Sequence, residues 1–149
     1  MIEQEYFDDF KVGDSFVTDS FTVTREESID FARMYDPQPF HLDEAAGKAS
    51  IFKRLAASGW HTAAIIMRLI VRAGFLRRTG ILGTGVDELR WLAPVFPGDA
   101  LHVTGEIISL EPDPKGRPFG KMRVQLYALN QDNVCVMSEI ANLTVAKRP

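Results

Sequence analysis

The chain has 149 residues, 46% hydrophobic and 25% charged, enough for one domain with one apolar core. Its net charge of −3, from 17 basic and 20 acidic side chains, offers no basic field for nucleic acid. One cysteine and three histidines exclude an intramolecular disulfide and leave no zinc ligand set, so neither metal nor other cofactor is expected.

The N-terminal Met1-Ile2-Glu3-Gln4-Glu5 is acidic and lacks the basic and apolar regions of a signal peptide. The longest apolar run, 62–71, contains Arg68 and is too short to span a bilayer. A soluble, cytoplasmic protein without a membrane partner is expected, with Cys135 a small buried hydrophobe. No repeat, low-complexity tract or linker divides the chain, so residues 1–149 read as one domain.

Val12-Gly13-Asp14 is a turn, and 15–23 suits a strand through Phe16, Thr18, Phe21 and Val23. Thr24 opens a helix. Glu27, three residues on, matches a capping box, and Ile29, Phe31, Ala32 and Tyr35 are its apolar positions. Asp36-Pro37-Gln38-Pro39-Phe40-His41 ends it, since a residue before proline is driven from the helical region and proline fixes its own φ. The spacing predicts a short rigid loop carrying a carboxylate and an imidazole, a pair able to share proton transfers on one substrate. The structural alternative is Asp36 as a cap and His41 as a satisfied core histidine.

A short helix at 43–49 precedes Ser58-Gly59-Trp60, which starts the longest helix, about 60–76. Apart from His61, Arg68 and Arg72 that helix is apolar nearly all round, and so buried. Arg68 and Arg72 suit either ligand phosphates or an acidic neighbour such as Asp87 or Glu88. Gly59 lets backbone approach a ligand, where a helix N-terminus offers unpaired N–H groups. The structural alternative is a tight turn with Ser58 as N-cap.

The period then changes. Segments 86–92, 100–108, 121–129 and 134–145 read as four strands, punctuated by Pro94, Pro97-Gly98-Asp99, 112–116 and 130–133. Short turns argue antiparallel hairpins in a meander. The fold class is α+β, about five antiparallel strands wrapped around a long central helix.

This order is that of the hot-dog fold, and the residues resemble the MaoC-like dehydratases, which include the (R)-specific enoyl-CoA hydratases. Tyr35 followed by Asp36-Pro37-Gln38-Pro39-Phe40-His41-Leu42-Asp43 is similar to that family's Asp-x-Asn-Pro-aliphatic-His motif. Leu55-Ala56-Ala57-Ser58-Gly59-Trp60-His61-Thr62 resembles the small-residue stretch and glycine that open its central helix. The run from Arg90 to Leu101 is similar to its Arg-Phe-x-x-Pro-Val-x-x-Gly-Asp stretch, and the resemblance covers about residues 10–146. Two positions depart from the pattern: Gln38 replaces the usual Asn, and Met67 stands where active hydratases carry a serine.

The resemblance implies reversible addition of water to an α,β-unsaturated acyl thioester, an acyl-CoA. It makes Asp36 and His41 the acid and base around a water and Gly59 the oxyanion donor. Gln38, Phe40, Ser58, Trp60 and His61 are then the substrate contacts. It also implies a homodimer with each site near the interface, and Phe16, Phe40, Trp91 and Phe96 as lining or interface candidates. Two other readings share the fold. A thioesterase would want a carboxylate on 60–76, where none exists. A non-catalytic acyl-CoA-binding or assembly subunit is the reading to which Gln38 and Met67 point.

Overall fold

The computed structural model describes residues 2–149. After the first turn come two short strands, β1 (Ser15–Val17) and β2 (Phe21–Thr22), where the sequence pattern reads one. Thr18 makes the break: its hydroxyl donates to Asp19 O at 2.8 Å and accepts the Val103 amide at 2.9 Å. Such side-chain bonds compete with the strand ladder.

Four helices follow: α1 (Arg25–Tyr35), α2 (Pro39–Leu42), α3 (Glu44–Ala49) and α4 (Gly59–Arg72). Thr24 Oγ1 accepts the Glu27 amide at 3.2 Å, but the capping box is only half made. The Glu27 carboxylate instead takes Arg68 at 2.9 Å, so Arg68 answers to α1 and not to Asp87 or Glu88. The central helix stops at Arg72, short of the predicted end, and the chain leaves it through turns at 73–79.

Strands β3 (Leu82–Trp91), β4 (Ala100–Pro112), β5 (Phe119–Leu129) and β6 (Cys135–Ala146) complete a six-stranded sheet. Its order is β1-β4-β5-β6-β3, with β2 also pairing β4, and every pairing is antiparallel. Strands β4 to β6 form a meander, but β3 is not its first member. Residues 92–99, longer than a hairpin loop and interrupted by Pro94 and Pro97, carry the chain across, and β3 pairs with β6 at the far edge.

Helix α4 lies against one face of the sheet. Its Ile65, Ile66, Leu69 and Ile70 join one core with Leu101, Val103 and Ile107 of β4, Met122 and Val124 of β5, and Met137, Leu143 and Val145 of β6. Each such side chain stabilises the fold by about 1.5–3 kcal/mol relative to exposure. This is the α+β hot-dog arrangement. The helix is not apolar-buried all round, however: Trp60, Met67 and Val71 are 56%, 48% and 55% exposed, a stripe at helical spacing. Edge strand β3 extends that surface with exposed Leu82, Val86 and Trp91, since Trp60 meets Trp91 edge-on at 4.9 Å and Met67 shares a cavity wall with Val86. Among the described residues no helix is long and apolar enough to cross a membrane.

Candidate active site

Helix α1 ends at Asp36, whose φ of −153° and ψ of 67° lie outside the helical region, as Pro37 demands. The expected irregular loop is instead one helical turn, α2, with Pro39 at its start. That turn brings the His41 ring to Asp36: Nε2 lies 3.3 Å from Oδ2, and both side chains are largely buried.

The other ring nitrogen settles the tautomer. His41 Nδ1 is 2.7 Å from the Ala56 carbonyl oxygen, which only accepts, so Nδ1 carries the hydrogen and the neutral ring presents a lone pair at Nε2. Ala56 is itself held by its amide, which donates to Phe40 O at 3.1 Å. Helix α3 packs beneath this strap so closely that a Cβ on Gly47 would lie 2.5 Å from Leu55 N.

The Asp36 carboxylate accepts Ser58 Oγ–H at Oδ2 and Gln38 Nε2–H at Oδ1, each at 2.6 Å. Burial works against its charge, but these two bonds, joined by the His41 charge when the ring is protonated, outweigh it and hold the carboxyl below the usual range. Carboxylate and Nε2 lone pair therefore face one another as two acceptors. At 3.3 Å the space between them takes a single proton, and a water that engages both sits beside the pair.

At the start of α4, Ser58 Oγ accepts the Trp60 amide at 3.2 Å. The Gly59 amide has no acceptor among the described residues. Trp91 closes over this helix end: its Nε1–H donates to Gly59 O at 2.8 Å, and a Cβ on residue 59 would lie 2.6 Å from the indole. Glycine is thus required here by the tryptophan as well as by any ligand. Asp36, His41, Gly59, Trp60, Thr62 and Trp91 line one cleft of about 470 Å³.

Gln38 and Phe40 also line it, and Phe40 packs on Phe52 at 5.2 Å. Two expected substrate contacts, Ser58 and His61, are not among its lining residues. Ser58 is fully buried and its hydroxyl is spent on Asp36 and the helix cap. His61 lies about 200° around the helix from Gly59, stacks on Phe31 at 4.9 Å and faces a separate cleft with Glu27 and Arg68. Burial there pushes the imidazole below its usual pKa. Of the four candidate aromatics, Phe40 and Trp91 line the cleft. Phe16 stacks on Phe75 at 4.9 Å, and Phe96 lies under Arg54 at 4.3 Å. Sequence reasoning missed Thr62, which helical spacing from Gly59 could have found. It also missed the Ala56 carbonyl, a backbone group fifteen residues from His41 that leaves no side-chain signal.

A MaoC like domain model matches residues 9–116. The crystal structure of the MaoC-like dehydratase from Rhodospirillum rubrum is similar over 97% of this chain and 98% of that one, with a TM-score of 0.92 and 42% identity. R-hydratase PhaJ1 from Pseudomonas aeruginosa, in its unliganded form, matches 97% of this chain and 87% of its own at a TM-score of 0.75 and 26% identity. Uncharacterized protein YdeM of Bacillus subtilis is 34% identical over 129 residues, 87% of this chain and 90% of that protein. The matched domain spans the Asp36–His41 turn, the Gly59 helix start and the Pro97-Gly98-Asp99 turn together, and the chain belongs to the MaoC-like dehydratase family.

Proposed function

We propose that this protein is a hydro-lyase that reversibly adds water across the α,β double bond of an acyl-CoA thioester, with the chemistry of an (R)-specific enoyl-CoA hydratase. Family membership and the R-hydratase likeness support hydratase or dehydratase chemistry in general. The observation that carries the finer reading is the 3.3 Å approach of His41 Nε2 to Asp36 Oδ2 in one cleft with the open Gly59 amide.

In this reading a water donates one hydrogen to Nε2 and one to Oδ2, leaving an oxygen lone pair aimed at the β-carbon. As the C–O bond forms, the water's proton passes to Nε2 and the π electrons move to the α-carbon and thioester oxygen. The imidazolium then returns a proton to the α-carbon, so one water is added and the ring ends neutral. Asp36 stays ionised, held by Ser58 and Gln38, and steadies the transient imidazolium. Gly59 N–H receives the enolate oxygen, a type of contact whose loss costs about 2.7–4 kcal/mol in other enzymes. Phe40, Trp60 and Trp91 flank the acyl thioester. Helix α4 carries no Asp or Glu, which favours hydration over hydrolysis on this fold.

The working unit in this reading is a homodimer, each chain one domain across residues 1–149 in the cytoplasm. Support comes from the apolar stripe Trp60–Met67–Val71 and its continuation onto the unpaired edge of β3, a surface that invites a second sheet.

The test follows loss of enoyl-thioester absorbance with crotonyl-CoA and longer homologues. Asp36→Asn and His41→Ala should each lower kcat/KM by about 10²–10⁴-fold while leaving the far-ultraviolet spectrum intact. Absence of turnover by the wild type across the whole panel overturns the proposal.

A further inference from the structure

One buried charge has no place in the chemistry above. On β6 the residues facing α4 alternate as Met137, Glu139, Ala141, Leu143 and Val145, so a carboxylic acid stands in an otherwise apolar row. Glu139 is 9% exposed, and its carboxyl has no hydrogen-bond or ion-pair partner among the described residues. Its backbone carbonyl accepts Gln125 Nε2–H at 3.1 Å. The carboxyl keeps access to water through the cavity beside it, and an apolar group that displaced this water would leave it without a partner.

The side chain opens into a cavity of about 80 Å³ whose other walls include Met67, Ile70, Val86 and Leu126. Beside it β3 is irregular: Asp87 pairs with Ile140 and Arg90 with Ser138, so two β3 residues oppose Glu139. The space holds a few non-hydrogen atoms, since one water takes about 30 Å³ in the liquid.

This cavity lies along the same helix and edge strand as the Asp36–His41 cleft. Gly59 to Met67 is eight residues of α4, about 12 Å along the axis. Trp91 to Val86 is five residues of β3, about 17 Å. Gly59 and Trp91 line the cleft, while Met67 and Val86 line the Glu139 cavity. The two cavities share no lining residue, so an acyl chain held at the Gly59 amide would reach the Glu139 carboxyl only by running along the seam between α4 and β3, past Met67 and Val86.

We infer that Glu139 is a specificity residue, selecting acyl chains that bear a hydroxyl or keto oxygen several carbons out from the thioester. The inference rests on the hydratase reading above. A methyl-terminated chain leaves the carboxyl unpartnered in an apolar pocket, whereas an oxygen function gives it a bond to donate or accept. Burial raises its pKa, which favours the neutral acid that can do both.

The experiment uses pairs of enoyl-CoA thioesters of equal length, one ending in a methyl and one in a hydroxymethyl group, over a series of lengths. Wild-type kcat/KM should favour the hydroxylated member by about ten- to a hundredfold at one length, mostly through KM. Glu139→Leu should reverse that preference, and Glu139→Gln, whose amide still hydrogen-bonds, should keep part of it. Equal turnover of both members by the wild type at every length, or a preference unchanged in Glu139→Leu, overturns this inference and leaves the hydratase reading standing. No turnover of any enoyl thioester overturns both.

Discussion

Ser58 Oγ donates to Asp36 Oδ2 across 2.6 Å and accepts the Trp60 amide at 3.2 Å. One hydroxyl therefore ties the end of α1 to the first turn of α4, coupling the Asp36 carboxylate to the Gly59 helix start. Removing it withdraws a donor from the charged form of Asp36, which raises the carboxyl pKa. Ser58→Ala should move the titration of the Asp36 carboxyl upward, followed by carbon-13 NMR of the labelled side chain, and cost about 1 kcal/mol of stability through the lost cap. An unmoved carboxyl titration would show that the bond does not tune Asp36.

Gly59 and Trp91 form a second coupled pair. A methyl group at residue 59 enters the space of the indole, so Gly59→Ala should displace Trp91, change tryptophan fluorescence and destabilise by about 1–3 kcal/mol. Trp91→Ala makes room, and the double variant should then lose less stability than the two single losses summed. Strict additivity in a denaturant series contradicts the packing argument.

Glu139 makes stability depend on pH in a stated direction. Burial raises its pKa from the ordinary value of 4.5. Between that value and the raised one, the folded state binds more protons than the unfolded chain, so stability falls as pH rises through the window. Glu139→Gln should melt higher than wild type near pH 7, and the gap should close on acidification to about pH 4. A gap independent of pH means that folding leaves the Glu139 pKa unshifted.

For the proposed dimer, Val86 is the position to change. It is 51% exposed in a single chain, so Val86→Lys should alter monomer stability by no more than about 0.5 kcal/mol. A charge on each copy of the β3 edge should nonetheless shift sedimentation from dimer to monomer at micromolar concentration. A dimer unaffected by the substitution places the interface elsewhere.

Much of the site was legible because it depends on short-range rules. Pro37 dictates where α1 ends, and Ser58-Gly59 marks a helix start whatever surrounds it. The fate of each side chain beyond that was not legible. His61 follows Gly59 by two positions, but helical rotation turns it toward Phe31. Glu27 matched a capping box, yet its carboxylate found Arg68, a partner 41 residues away. The position of β3 beside β6 was hidden for the same reason: local pattern identifies a strand but not its neighbour. Glu139 alternates correctly for a strand and faces inward against its chemistry, which no propensity would suggest.

Gly47 touches neither Asp36 nor substrate, yet the backbone of Arg54 and Leu55 rests where its side chain would be. The second peptide further along that strap is the one whose carbonyl fixes the imidazole hydrogen on Nδ1. A single added carbon atom on α3 would therefore lift the strap and free the ring to turn over. The orientation of the His41 imidazole is in this way governed from a residue whose whole contribution is emptiness.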